Sequence, residues 1–223
     1  MQTSNHYAIV PARKGSVGFP FKNRKFIDSK LKFLKKINFF KEIIISSDDE
    51  FILDKYKKNN FSLIKRSKKI SGGKISIKRV FGDIIIKKKI LKNDILWLFY
   101  VPLLYNSKEL VLKSKRLIEK KNINSICGFI NVKNHPFNAW YLNKNKIKKV
   151  ITNDSFRRQD LPKVLEHHHQ ICAFKVSEFS KLNSELINAK TYPIVFGEKL
   201  QKKLIEIDTK KDYLKYLKNE KKT

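Results

Sequence analysis

Tyr7–Pro11 (YAIVP) runs directly into Ala12–Asn23 (ARKGSVGFPFKN), and this junction decides the fold. A short apolar run followed by a loop of small and basic residues predicts a buried strand whose carboxyl end opens on a loop. The same alternation continues outward. Ser29–Phe39 places Leu31, Leu34 and Ile37 at helical spacing, behind Asp28 or Ser29 as a cap. Glu42–Ser47 (EIIISS) is a second buried strand, Asp49–Asn59 carries Phe51, Ile52 and Tyr56 on one helical face, and Phe61–Lys65 is a third strand. After the loop Ser71–Lys74 (SGGK), a helix is predicted with Ile77, Val80, Phe81 and Ile84 at its core. Ile95–Tyr100 (ILWLFY) reads as a central strand stopped at Pro102, followed by a helix over Ser107–Lys121. Ile123–Asn131 precedes a less regular stretch, and Leu204–Asp208 (LIEID) is a last strand leading into a polar helix. Alternating strands and helices predict an α/β protein with a mostly parallel sheet covered on both faces.

The chain has 223 residues, 41% of them hydrophobic and 12% aromatic, enough for one domain with a sizeable core or at most two small ones. We expect one domain over residues 1–223. Its apolar runs, such as Ile43–Ile45 and Ile84–Ile86, are too short to cross a bilayer, so no membrane partner is expected. Met1–Ile9 has no basic region leading into an apolar one, and two cysteines, Cys127 and Cys172, are too few for a disulfide framework. A cytoplasmic location is the expectation.

Fifty Lys+Arg against 20 Asp+Glu give a formal charge of +30. Such a field attracts polyanions, either nucleic acid or a nucleoside triphosphate. The lysines are spread from Lys14 to Lys222 and travel with Ile and Asn, as a compositional drift would leave them. Without a recognition helix or clustered stacking aromatics, nucleic acid is the weaker reading.

Ligands of open α/β sheets gather beyond the carboxyl ends of the strands. In the first such loop Gly15 and Gly18 permit close backbone approach, Ser16 offers a donor, and Arg13 and Lys22 bring fixed positive charge, a combination suited to a triphosphate. It is neither a G-K-[ST] phosphate loop nor a G-x-G-x-x-G fingerprint. A basic surface turn is the plain alternative.

PARKGSVGFPFKN resembles the PAR-x-GS-K-G-x-P-x-KN signature of the CMP-acid-sugar synthetases, the cytidylyltransferases that activate N-acylneuraminate and related nonulosonic acids. IIISSDDE (Ile43–Glu50), Lys65-Arg66, Arg158–Pro162 (RQDLP) and IEIDTKKD (Ile205–Asp212) resemble further elements of that family in the same order. The resemblance implies a Rossmann-like nucleotidyltransferase sheet with a small dimerisation extension near residues 130–180, and a homodimer. It implies CTP and an acid sugar as substrates, CMP transfer with release of pyrophosphate, Mg²⁺ as cofactor, and a place in surface-glycan biosynthesis such as lipopolysaccharide.

By the same resemblance, Arg13, Gly15, Ser16 and Lys22 hold the CTP phosphates, Asn23 the ribose, and Arg66 the cytidine end. Glu206 and Asp208, two apart on the expected strand, share one face and bind the metal. Arg13, Lys22 and Asp208 are the catalytic set, while Arg158 and Gln159 contact the sugar, the arginine pairing with its carboxylate. The chain departs from the family at Val17, where a lysine is usual, at Gly72, near a usual Asp, and in a shortened Arg24–Phe33. Leu98–Tyr105 (LFYVPLLY) keeps a Pro-Leu but lacks the Gln, Thr, Ser and Arg of the corresponding family element. These departures keep open another sugar or nucleotide, or a non-catalytic relative.

Among the remaining residues, only His167 and His169 of His167–His169 would share a face in extended chain. With no spaced partner beside them, pocket lining or a subunit contact is the better reading than a metal site. Cys172 and Trp97 are predicted in the core, Trp140 at a dimer interface. Asp48 and Asp49 are a possible carboxylate pair, at least one of which a helix cap explains.

Overall fold

The computed structural model describes residues 4–16, 18–152 and 157–220. Strand β1 (His6–Pro11) is buried along its whole length and leads through the loop into α1 (Lys22–Lys35). Then follow β2 (Phe40–Ser47), α2 (Glu50–Tyr56), β3 (Ser62–Lys65), α3 (Ile77–Lys88), β4 (Ile95–Leu98), α4 (Lys108–Ile118) and β5 (Ser125–Asn131). The second half adds the hairpin β6 (Trp140–Asn143) and β7 (Lys146–Lys149), the long β8 (Leu165–Lys175), β9 (Tyr192–Val195), and the helices α5 (Glu198–Gln201) and α6 (Lys210–Glu220).

Seven strands form one sheet in the order β3-β2-β1-β4-β8-β5-β9. All neighbours are parallel except β8, which runs antiparallel to both β4 and β5. Side-chain alternation divides the core between the two faces. Ala8, Val10, Ile45 and Trp97 pack under Phe26, Ile27, Leu31 and Leu34 of α1, Ile52 and Tyr56 of α2, and Val111 and Ile118 of α4. Tyr7, Ile9, Ile44, Leu96 and Leu98 face the other way, against Ile77, Val80, Phe81 and Ile84 of α3. The expected α/β architecture with helices on both faces is therefore present. Trp97 and Cys172 are core residues as expected, each about 1% exposed, and the indole Nε1 donates to His6 Nδ1 at 3.0 Å.

Three expectations need correction. Helix α1 begins at Lys22, seven residues before Ser29, entered through Phe21 in the left-handed region at φ 55°. Asp28 is thus no cap; it lies inside the helix, bonded to Lys55 Nζ (2.6 Å) and the Tyr56 hydroxyl (2.5 Å) of α2. Arg24 compensates for the missing cap by tying the first turn to Asp49 through two 2.7 Å bonds, with its guanidinium over the Phe21 and Phe51 rings.

The expected strand Leu204–Asp208 is reduced to one antiparallel bridge, Leu103–Glu206. It is flanked by Leu104 N donating to Ile205 O (2.9 Å) and Ile207 N to Pro102 O (3.1 Å). Alternation survives: Ile207 is fully buried, while Glu206 and Asp208 are exposed on either side of it. Finally, the stretch read as irregular contains β8, the longest strand, whose polar first half (LEHHH) hides its period. Among the described residues, no helix is long and apolar enough to cross a membrane.

A buried lysine fastens α1 to the loop after β4. Lys30 Nζ donates to Leu103 O (2.5 Å) and Asn106 Oδ1 (2.8 Å), and burial lowers its pKa to about 7. In the unfolded chain a lysine titrates near about 10.4. Between those values the unfolded state binds more protons than the folded one, so stability rises with pH across that window. The wild type should therefore gain on Lys30→Met by up to about 1.4 kcal/mol per pH unit between about pH 7 and pH 9. Urea unfolding of both proteins measures this, and a pH-independent difference between them would refute it.

Candidate active site

The loop after β1 is held by backbone and side-chain bonds from its neighbours. Ala12 N donates to Ser46 O (2.9 Å), Ser47 Oγ to Ala12 O (2.5 Å), and Lys14 N to Asp48 Oδ1 (2.8 Å). Asn23, buried at the start of α1, donates from Nδ2 to Arg13 O at 2.8 Å. Asp48 thus orders the loop, and Asp49 caps α2 by accepting from Phe51 N at 3.2 Å.

The far end of the chain returns to this loop. A Cβ on Gly18 would stand 2.6 Å from the carbonyl oxygen of Asp208, so the two backbones meet closely only because residue 18 has no side chain. Lys22 completes the closure, its Nζ 2.7 Å from Asp208 Oδ1 and 3.1 Å from Ile207 O. Thr209 and Asp212 cap the following helix reciprocally: Asp212 Oδ2 accepts from Thr209 N (2.8 Å), and Asp212 N donates to Thr209 Oγ1 (3.2 Å).

These contacts enclose a cavity of about 290 Å³ beyond the carboxyl ends of β1, β3 and β4. Arg13, Lys22, Asn23, Arg66, Glu206 and Asp208 all line it. Arg66 is 7% exposed; Nε donates to Ser46 Oγ at 2.9 Å, while its buried Nη2 has no hydrogen-bond partner among the described residues. Burial pushes its pKa down to about 10, against the pull of Asp48. Glycines at 72 and 73 leave one wall open, and a Cβ at Gly73 would press within 3.1 Å of Arg13 Nη1.

A second cavity of about 980 Å³ adjoins the first, sharing Tyr100 and Glu206 with it. Glu166, all three histidines of β8, Leu103, Lys133, Lys202 and Lys215 contribute to its wall. Desolvation and then the nearby Asp208 raise the pKa of Glu206 above the usual carboxylate value. Burial raises the Tyr100 phenol and lowers His168 and His169.

The structure therefore brings together Arg13, Lys22, Asn23, Arg66, Glu206 and Asp208. Gly15 and Ser16 are on the loop outside the lining of either cavity. Arg158 and Gln159 stand in a single 3₁₀ turn, Arg158–Asp160, where Gln159 is exposed; the Arg158 side chain and Val17 lie outside the described residues. Tyr100 and Glu166 were not anticipated as site residues. Tyr100 could have been found from its place two residues beyond the buried strand β4, where α/β proteins present ligands. The histidines do line a pocket, as the sequence suggested.

Residues 7–93 match the family model described as Cytidylyltransferase. Solved structures resemble nearly the whole chain. A CMP:2-keto-3-deoxy-manno-octonic acid synthetase complexed with CTP aligns at TM-score 0.64 and 13% identity, covering 96% of this chain and 97% of its own. The 2-C-methyl-D-erythritol 4-phosphate cytidylyltransferase of Francisella tularensis gives TM-score 0.66 at 14% identity over 96% and 99%. A cytidylyltransferase from Leptospira borgpetersenii serovar Hardjo-bovis (strain JB197) gives 0.58 at 19% identity over 95% and 84%. Comparison with curated protein sequences gives no match. The chain thus has the Rossmann-like nucleotidyltransferase fold of these enzymes.

The contact at residue 18 is open to a direct test. Gly18→Ala should lower the unfolding free energy by about 1–3 kcal/mol, the usual cost of forcing atoms into a packed position. Gly15→Ala, whose Cβ would meet nothing within 4 Å among the described residues, should stay within about 0.5 kcal/mol of wild type. Urea denaturation of the two variants compares them, and equal stabilities would contradict the closure described.

Proposed function

We propose that this protein is a cytidylyltransferase that transfers CMP from CTP to an acid sugar of the N-acylneuraminate or nonulosonate type, releasing pyrophosphate. The observation that carries the reading is the convergence of Arg13, Lys22 and Arg66 with Glu206 and Asp208 on one cavity at the strand ends. The cytidylyltransferase match over residues 7–93 supports it. A triphosphate needs fixed cations within a partly desolvated pocket, and three of the chain's 50 basic residues supply them there.

In this reading the anomeric hydroxyl of the sugar attacks the α-phosphorus, and the bond to the β,γ-diphosphate breaks. Arg13 and Lys22 would balance charge on the phosphates as pyrophosphate leaves, with Gly15 and Ser16 at the mouth of the loop. Asn23, already bonded to the Arg13 carbonyl, fixes the loop beside the ribose. The unpartnered Nη2 of Arg66 is a donor available to the cytidine end.

Glu206 and Asp208 would hold Mg²⁺. Their carboxylates fit a hard cation: both face one cavity, burial and then Asp208 raise the pKa of Glu206, and Asp208 already takes the Lys22 ammonium at 2.7 Å. When bound, Mg²⁺ would supply charge neutralisation at the phosphates. Lys22 is then positioned to exchange Asp208 for a phosphate oxygen.

The adjoining 980 Å³ cavity is large enough for the acceptor. Tyr100 and Leu103, from the segment that departs from the acid-sugar synthetase pattern, form part of its wall, which supports an acceptor that differs from the usual acid sugar. Arg158 and Gln159 would contact the sugar, the arginine pairing with its carboxylate. The exposed Trp140, Tyr141, Leu142 and Ile147 of the β6–β7 hairpin are the surface on which a homodimer would form.

Incubation with CTP, Mg²⁺ and a panel of 2-keto acid sugars should yield pyrophosphate and a CMP-sugar detectable by mass spectrometry. Arg13→Ala should reduce the rate by about 100-fold or more, in line with the loss of one transition-state donor, and Asp208→Ala should abolish it. Undiminished turnover in Asp208→Ala would remove the metal assignment. A wild type that neither turns over nor binds CTP calorimetrically in the presence of Mg²⁺ would overturn the function.

A further inference from the structure

The side of β8 that faces the larger cavity carries a second cluster of metal-binding groups, separate from Glu206 and Asp208. His167 and His169 are two apart on the strand and so share a face, with ring centroids 5.0 Å apart at 71°. Glu185, from the segment after the 3₁₀ turn Val176–Lys181, reaches both imidazoles. Its Oε2 is 3.9 Å from His167 Nε2 and 4.0 Å from His169 Nε2, and its carbonyl oxygen is 2.9 Å from His169 Nε2. The three side-chain donors lie within 4.8 Å of one another.

We propose that His167, His169 and Glu185 form a binding site for a first-row transition-metal ion of the zinc class, open to the larger cavity. Two imidazoles and a carboxylate favour such an ion over Mg²⁺, which prefers oxygen alone. Donors at about 2.0–2.2 Å from an ion stand about 3–3.5 Å from one another. Each histidine–carboxylate separation therefore needs to shorten by less than about 1 Å. His167 and Glu185 are partly exposed and can make that adjustment by side-chain rotation. On binding, the hydrogen bond from His169 Nε2 to the Glu185 carbonyl breaks and the proton of the neutral ring moves to Nδ1, which frees the Nε2 lone pair for the ion.

The surroundings already position these ligands. Asn183 Oδ1 accepts from both Glu185 N (2.9 Å) and Ile187 N (3.1 Å), bending the chain around Leu186 at φ 63° and presenting Glu185 to the strand. The Tyr100 ring stands edge-on to His169 with centroids 5.5 Å apart. Outer partners of this kind fix ligand orientation in metal sites. The thiols of Cys127 and Cys172 also come within ligand distance of His169, but they are sealed in the core on paired strands. Accessible nitrogen and oxygen donors make the cavity-facing set the site. His167 and His169 line the cavity wall, so the remaining coordination positions of the ion would open there, to oxygen ligands such as a carboxylate or a vicinal diol. This site does not depend on the nucleotide reading.

The test uses the untagged full chain, stripped with chelator and titrated calorimetrically with Zn²⁺ in excess Mg²⁺ to keep the Glu206–Asp208 pair occupied. A parallel Co²⁺ titration is followed by absorption. One ion per chain is expected, with visible d–d bands and no near-ultraviolet thiolate charge-transfer band. His167→Ala and Glu185→Gln, both at partly exposed positions, should each weaken binding at least about tenfold with unchanged circular dichroism. Cys127→Ser should leave it unchanged. Absence of Zn²⁺ binding, wild-type affinity in both His167→Ala and Glu185→Gln, or a thiolate band that disappears in Cys127→Ser would overturn the proposal.

Discussion

The ion pair between Lys22 and Asp208 joins residues that are 186 apart in sequence, and the candidate active site depends on it. Lys22 is the first residue of α1, and Asp208 lies just before α6, so one contact fixes the carboxylate segment against the first loop. The close approach at Gly18 and the bond from Lys210 N to Gly18 O (3.3 Å) lock the same two segments from the backbone side. The lysine is largely buried and the aspartate exposed, so Asp208 can change partners without unfolding the loop. A site assembled this way comes into being only when the two ends of the chain are both in place.

Electrostatics within the site are far more balanced than the charge of the whole. The chain carries +30, yet Glu166, Glu206 and Asp212 face Lys133, Lys202 and Lys215 around the larger cavity, and Glu206 and Asp208 face Arg13, Lys22 and Arg66 in the smaller one. The lysines that dominate the composition are mostly solvated, several in surface pairs such as Lys113–Glu109 and Lys87–Asp83 that contribute little to stability. Lys22 and Lys30 differ, the first held against Asp208 and the second enclosed and bonded to the chain between β4 and α4. Net charge therefore describes the surface, while a handful of enclosed cations and carboxylates determine the chemistry.

The first half of the fold was legible because its strands are buried on both faces. YAIVP, EIIISS and ILWLF are continuous apolar runs, and the helices between them show clean spacing. The start of α1 was obscured because its first turn, Lys22–Lys25, is polar and its anchor, Arg24 on Asp49, is a long-range contact that no local pattern reveals. Strand β8 was missed for a related reason: four of its first five residues, Glu166 to His169, border a cavity rather than the core, so polar side chains occupy inward positions. The motifs of the site were readable as a set, and the geometry joins most of them. Glu166 and Glu185 were not, because Glu166 lies on the strand that the sequence hid and Glu185 meets that strand from a separate segment.

The antiparallel course of β8 also constrains how the protein is made. It occupies the slot between β4 and β5, so no hydrogen bonds join those two strands directly. During synthesis β1 to β4 can assemble first, but the open edge of β4, with Ile95, Leu96 and Trp97, waits for Ala173, Phe174 and Lys175 to emerge. An unpaired apolar edge invites association with other nascent chains. The emergence of β8 from the ribosome is thus the point at which the β4 edge of this intermediate is covered, while β5 still awaits β9, so the need to shield the β4 edge should end there.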